Sequence, residues 1–141
     1  MSPLLEIEGL TTSFPGPNGD IPVVDEVSFS IDQGEVLALV GESGCGKSMT
    51  ALSVMRLVPK PGGIRQGRIM MNGRDVRALS IPEIRQLRGH EIALIFQEPM
   101  TSLNPVVTVG VQVVEAIRLH EAVNKARARE RTIELFERVG I

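Results

Sequence analysis

Gly41-Glu42-Ser43-Gly44-Cys45-Gly46-Lys47-Ser48 fits the pattern G-x-x-x-x-G-K-[ST] and follows directly on a short apolar run, Val36-Leu37-Ala38-Leu39-Val40. The run reads as a buried strand, and Met49 to Leu57 reads as a helix. A strand, a glycine-rich loop and a helix in that order predict a site for nucleotide phosphates. Small residues let successive backbone N–H groups curl around the β-phosphate, Lys47 reaches the β- and γ-phosphates, and the Ser48 hydroxyl is placed to ligate Mg²⁺. The helix starting near Lys47 adds the positive end of its dipole.

At 141 residues the chain has room for one domain. Its net charge of −2 lacks the broad basic footprint of a nucleic-acid binder. Cys45 is the only cysteine, so there is no disulfide framework. No charged start precedes a long apolar stretch, and no segment approaches the ~18 continuous apolar residues of a membrane span, so a soluble cytosolic chain is expected. With four Phe and neither Trp nor Tyr, aliphatic side chains and Met must fill most of the core.

Before the loop the pattern is β. Leu5, Ile7 and Gly9 alternate with Glu6 and Glu8, and Val23 to Ile31 carries Val27, Phe29 and Ile31 at period two. Pro15 to Asp20 and Asp32-Gln33-Gly34 read as turns. Consecutive strands before any helix imply an antiparallel layer attached to an α/β core. Beyond the first helix, Pro59 to Gly63 is a break, and Arg68 to Met71 leads into Asn72-Gly73, a favoured hairpin dipeptide. Ser80 and Glu83 form a capping box that opens a helix ending near Gly89. Ile92 to Phe96, apolar on both faces, suits a parallel strand. Helices are expected from about Thr108 to His120, with Val109, Val113, Ala116 and Ile117 on one face, and from about Asn124 to Val139, with an Ile133, Phe136, Val139 stripe and Gly140 as C-cap. His90 and His120 have no partner at metal or catalytic spacing and read as surface residues.

The order Phe14, Val24-Asp25-Glu26-Val27-Ser28-Phe29-Ser30-Ile31, Gly34-Glu35, the phosphate loop and Phe96-Gln97 resembles the N-terminal half of ABC transporter ATPases. Gln97-Glu98-Pro99-Met100-Thr101-Ser102-Leu103-Asn104-Pro105 is similar, more narrowly, to the group serving oligopeptide, dipeptide and nickel importers. The resemblance implies a P-loop NTPase core of the ABC ATPase type, α/β with an antiparallel β-subdomain. In its terms residues 1–75 hold the β-subdomain and phosphate loop, and residues 76–141 hold the glutamine-loop strand and the start of the helical subdomain, breaking off before the signature segment. ATP and Mg²⁺ are the implied cofactors, contacted by Phe14, Gly41, Glu42, Ser43, Gly44, Cys45, Gly46, Lys47, Ser48 and Met49.

By the same resemblance Phe14 stacks on adenine, and Gln97 touches Mg²⁺ and the attacking water. Taken alone, Phe14 would be loop packing, and Gln97 a polar residue satisfying a strand end. The implied partners are transmembrane permease subunits meeting loop 98–105, a second ATP-binding subunit, and indirectly a substrate-binding protein, at the cytoplasmic face of the inner membrane. Met49 stands where many relatives carry Thr. Cys45 reads as a small loop residue whose alkylation would block nucleotide binding.

Phosphoryl transfer to water needs a positioned base and a second carboxylate on the metal. Nothing in the chain reads Leu-Ser-Gly-Gly, no apolar strand ends in Asp-Glu, and no switch histidine follows. The reading is therefore an N-terminal fragment that binds without turnover, of marginal stability and prone to associate. Two other classes fit less well. A P-loop kinase would show an acceptor site, and a non-transport ABC ATPase of DNA repair or translation would use the same loop with different partners.

Overall fold

The computed structural model describes residues 3–96 and 102–141. The chain divides into two compact units, Met1–Arg85 and Gln86–Ile141.

The first unit is built on an antiparallel sheet in the order β2-β1-β3-β4, from β1 (Leu5–Gly16), β2 (Gly19–Ile31), β3 (Gly63–Met71) and β4 (Arg74–Asp75). The turn cluster is tighter than its composition implies. The ladder runs to Gly16↔Gly19, leaving only Pro17 and Asn18 as the turn. Leu5, Ile7, Leu10, Val24, Ile69 and Met71 form the buried face. Strict alternation would have turned Gly9 inward. A register shift after Ile7 moves the buried phase to Leu10, with Gly9 at φ 53 and its N–H donated to Ser28 Oγ at 2.8 Å. Val27, Phe29 and Ile31 are half-buried at period two, as expected of a strand with one face covered. Asn72 (φ 49) and Gly73 (φ 72) both take the left-handed conformation of a two-residue hairpin, joining β3 to β4.

Helix α1 (Lys47–Val54) packs on β1, β2 and β3 and ends three residues before the expected Leu57. A buried hydrogen bond of 2.8 Å between Thr12 Oγ1 and Ser53 Oγ stitches it to β1. Arg56, just past its end, donates to the carbonyls of Val76 (3.1 Å) and Leu79 (2.5 Å), tying the helix to the segment after β4.

The two expected parallel strands do not form. Residues 36–40 lie in no strand, with Val36 and Val40 each 93% exposed. Ile92 makes only an isolated bridge to Arg88, and Ile95 is 91% exposed. A strand of this kind gains stability only when neighbours pair with both edges and helices cover both faces. Among the described residues neither segment has them.

Helix α2 (Ile81–His90) opens with the Glu83 half of the expected capping box: Glu83 Oε2 accepts the Ser80 N–H at 2.7 Å, and the Ser80 hydroxyl turns to the same oxygen at 2.5 Å rather than capping the backbone. Helical geometry breaks at Arg88 (ψ 129) and Gly89 (φ 83). The Ser80 side-chain bond, then its backbone bond, then the charge of Arg74 hold the Glu83 carboxyl below its ordinary range. A depressed folded value means that the contribution is present above the unfolded pKa and is lost as pH falls through the folded one. An acid titration by far-UV circular dichroism should show α2 fraying as Glu83 protonates. Glu83→Gln should remove that component and leave the rest of the profile in place.

In the second unit, α3 (Val109–His120) and α4 (Lys125–Arg138) pack together. Asn124 caps α4 by accepting the Arg127 N–H at 2.9 Å, and Gly140 takes the left-handed conformation (φ 80) just past its end. Ile117, Ala128 and Thr132 are buried, but the expected stripes are only partly covered. Val109 is exposed, as are Ile133 and Val139. Val111, Val114, Ile133 and Phe136 line an open groove of about 490 Å³ between the helices instead. Arg127 with Glu130 and Glu134, and Arg131 with Glu134, form a solvated face. His120 is less free than a surface histidine: its ring lies against Gly89, and Nδ1 is buried without a hydrogen-bond partner among the described residues.

Candidate functional site

Residues 41–48 form a loop that enters α1 at Lys47, so the loop-to-helix half of the expected arrangement is present without the strand before it. Two features anchor it. Thr50, buried in the first turn, donates both its N–H (2.8 Å) and its hydroxyl (3.0 Å) to the Gly46 carbonyl. Gly46 itself sits at φ 91 against the Val23 carbonyl and Val24 Cγ2, where a Cβ would collide with the β2 backbone. Only glycine meets both demands.

The Lys47 ammonium lies over the loop. Its Nζ donates to the carbonyls of Gly41 and Glu42, each at 2.7 Å, and approaches Cys45 Sγ at 3.4 Å. The thiol also packs close to the Gly41 Cα, so a Cβ at position 41 would stand 2.5 Å from Sγ. The α1 N-terminus has no side-chain cap. Among the described residues, the N–H groups of Gly44, Gly46, Lys47 and Ser48 have no acceptor. A cation held on the loop carbonyls, in a loop that also carries unanswered N–H donors at a helix start, fits an anion of phosphate type. Glu42, Ser43 and Ser48 are exposed, and Met49 is half-buried with its carbonyl accepting the Ser53 hydroxyl at 2.7 Å. No described group of three His, Cys, Asp or Glu side chains is placed to hold a metal ion.

Phe14 lies in β1 opposite Ile21, its ring half-buried against Gly62. Thr12, two residues earlier, pairs with the Val24 that backs Gly46. Two residues of strand rise about 7 Å, so the aromatic and the loop are fixed to neighbouring parts of one sheet.

Gln97 and residues 98–101 lie outside the described residues. The described remainder of that segment, 102–105, is tied to α3 by a residue that the sequence did not single out. Gln112 Oε1 accepts the Asn104 N–H at 2.9 Å, while Nε2 donates to the carbonyls of Asn104 (3.0 Å) and Val107 (2.8 Å). The available signal was a long amide side chain on the first turn of a helix that follows a proline-ended loop.

A family model described as ABC transporter matches residues 24–141. The chain is similar to the oligopeptide transport ATP-binding protein OppD of Bacillus subtilis, at 46% identity over 98% of this chain and 39% of the relative. It is similar to the dipeptide transport ATP-binding protein DppD of Escherichia coli at 45% identity, over 98% of this chain and 42% of the relative. The chain thus spans about two fifths of the length of the curated relatives it matches. Its fold matches the ATP-binding cassette MJ0796, solved as a dimer in a post-hydrolysis state bound to ADP and Pi. The TM-score is 0.76 at 19% identity, covering 94% of this chain and 56% of the cassette.

Proposed function

The chain belongs to the ABC transporter family, and from that premise we propose that it is the phosphate-binding part of an ATP-hydrolysing subunit that drives uptake of peptides, or of nickel. The observation that carries this reading is Lys47 held at 2.7 Å from two loop carbonyls, at the start of a helix with no side-chain cap. The loop carbonyls hold the ammonium in place before any ligand arrives, so little of its side-chain entropy remains to be lost on binding. Its contact with Cys45 Sγ is the longest of the three, and it is the one that a phosphate oxygen would replace. Gly44, Gly46 and Ser48 offer backbone N–H groups, the Ser48 hydroxyl would hold Mg²⁺, and Phe14 would stack on the adenine. Bound Mg²⁺ would neutralise phosphate charge as the β–γ bond breaks.

Gln97 is assigned to the metal and the attacking water. Residues 98–105 are assigned to the permease, with Gln112 bracing Asn104 behind that loop. A second ATP-binding subunit and a substrate-binding protein complete the proposed importer, peripheral to the cytoplasmic face of the inner membrane. Among the described residues no helix is long and apolar enough to cross a membrane. Peptides are favoured as cargo by the names of the relatives, oligopeptide and dipeptide transport proteins. We expect the 141 residues to bind Mg-ATP without turnover.

Equilibrium dialysis with labelled ATP tests the reading. Mg²⁺-dependent binding that ADP competes away supports it, and no binding at millimolar ATP sinks it. Cys45 gives an independent check, because it is exposed and an adduct on Sγ would fill the space beside Lys47 and Gly41. N-ethylmaleimide should abolish ATP binding, Mg-ATP should protect the thiol, and Cys45→Ser should bind ATP and resist the reagent. Undiminished binding by the alkylated chain would place the sulfur outside the phosphate site.

A further inference from the structure

Gly62 ends the connection between α1 and β3, its N–H donated to the Pro59 carbonyl at 2.9 Å. Its backbone is not among those with positive φ, so other residues could adopt its conformation. What glycine provides here is room. A Cβ at this position would lie 2.5, 2.6 and 2.8 Å from Cε1, Cζ and Cδ1 of Phe14, all along one edge of the ring. The pairing Ser13↔Gly63 between β1 and β3 brings the two positions together across 48 residues of sequence. The two sides of this contact differ in stiffness. Gly62 belongs to a hydrogen-bonded turn, whereas the ring edge is the outer end of a side chain. An added methyl would displace the ring before it displaced the turn.

We propose that Gly62 is a positioning residue for Phe14, setting the ring orientation that selects adenine. This rests on the assignment of Phe14 to the base given above. The prediction is a loss of base recognition with phosphate recognition preserved, since the Lys47 loop is anchored separately through Thr50 and β2.

The test compares the binding of ATP and of inorganic tripolyphosphate, each with Mg²⁺, by the parent chain, Phe14→Ala, Gly62→Ala and the double variant. Phe14→Ala should weaken ATP binding about tenfold, the scale of one lost base–aromatic stack, and leave tripolyphosphate binding unchanged. Gly62→Ala should reproduce at least roughly a threefold part of that loss, again for ATP alone. The double variant should be no worse than Phe14→Ala, because the methyl then has no ring to push. Equal loss of ATP and tripolyphosphate in Gly62→Ala, or losses that add in the double variant, would overturn the proposal. If Phe14→Ala leaves the ratio of the two affinities unchanged, the base assignment itself fails. If Phe14→Ala changes the ratio and Gly62→Ala does not, only the role of Gly62 fails. Should Gly62→Ala not fold, recovery of folding in the double variant supports the contact, and failure of both refutes it.

Discussion

Lys47→Ala is expected to abolish Mg-ATP binding by the chain while leaving the fold intact. The ammonium makes two charge-assisted bonds to Gly41 and Glu42, and it would replace its thiol contact with a phosphate oxygen. The hydrogen bond that a phosphate oxygen would take from Lys47 contributes about 1.5–3 kcal/mol, and the ammonium's charge is lost with it. A loss of about 3 kcal/mol corresponds to a weakening of roughly a hundredfold. The cost to folding is small by comparison. Lys47 is at the first position of α1, where alanine is a good helix former, and the carbonyls it releases belong to exposed residues that water can solvate. Lys47→Arg should not rescue binding, because a planar fork does not substitute for a point charge fitted over two carbonyls. Calorimetric titration with Mg-ATP, beside circular dichroism to confirm the helix content, separates the two effects. A folded Lys47→Ala chain that binds as tightly as the parent would remove Lys47 from the site.

The parts of this arrangement that were legible in the sequence are those fixed by neighbours in the chain. Asn72-Gly73 and the Ser80–Glu83 pair specify their own geometry; the hairpin turn formed, and Glu83 reached back to the Ser80 N–H. The alternation of Val27, Phe29 and Ile31 similarly gave β2 its half-covered face. The apolar runs 36–40 and 92–96 misled because periodicity reports what a segment needs, whereas pairing depends on what the rest of the chain supplies. The slip at Gly9 was hidden for a related reason. A bulge changes phase without changing composition, and its stabilising partner, Ser28, lies on another strand. Gly62 was equally out of reach. Nothing local connects it to Phe14 until the β1–β3 register is known. The turn from loop to helix at 41–48 was readable because its glycines and the start of α1 are written in consecutive residues, while Gln112 is significant only once α3 stands behind Asn104.

The chain of 141 residues is expected to associate in solution, through the same segments that failed to become strands. Val36 and Val40 are each 93% exposed, with Leu37 and Leu39 at 39% and 43%, so one short stretch presents four aliphatic side chains to water. In the second unit Ile95 (91%) and Phe96 (50%) do the same. Burying one such side chain is worth about 1.5–3 kcal/mol, so covering even two of them gives association a substantial driving force. The backbone adds direction, because residues 36–40 lie in no ladder, and unpaired N–H and C=O groups template further strands. By contrast β2, also an edge strand, carries Asp20, Pro22, Asp25 and Glu26, which discourage pairing along its outer side. Sedimentation velocity should therefore show concentration-dependent association at micromolar chain. Val36→Lys with Val40→Lys should shift the population toward monomer, because a charge at each position makes burial costly without disturbing any described packing. The same variant should still bind Mg-ATP, since both side chains stand almost wholly in water. A parent chain that sediments as a single monomer across the concentration range would show that water tolerates these segments. Association that persists in the double-lysine variant would assign it to the surface around Ile95 and Phe96, where Ile95→Lys then becomes the deciding substitution.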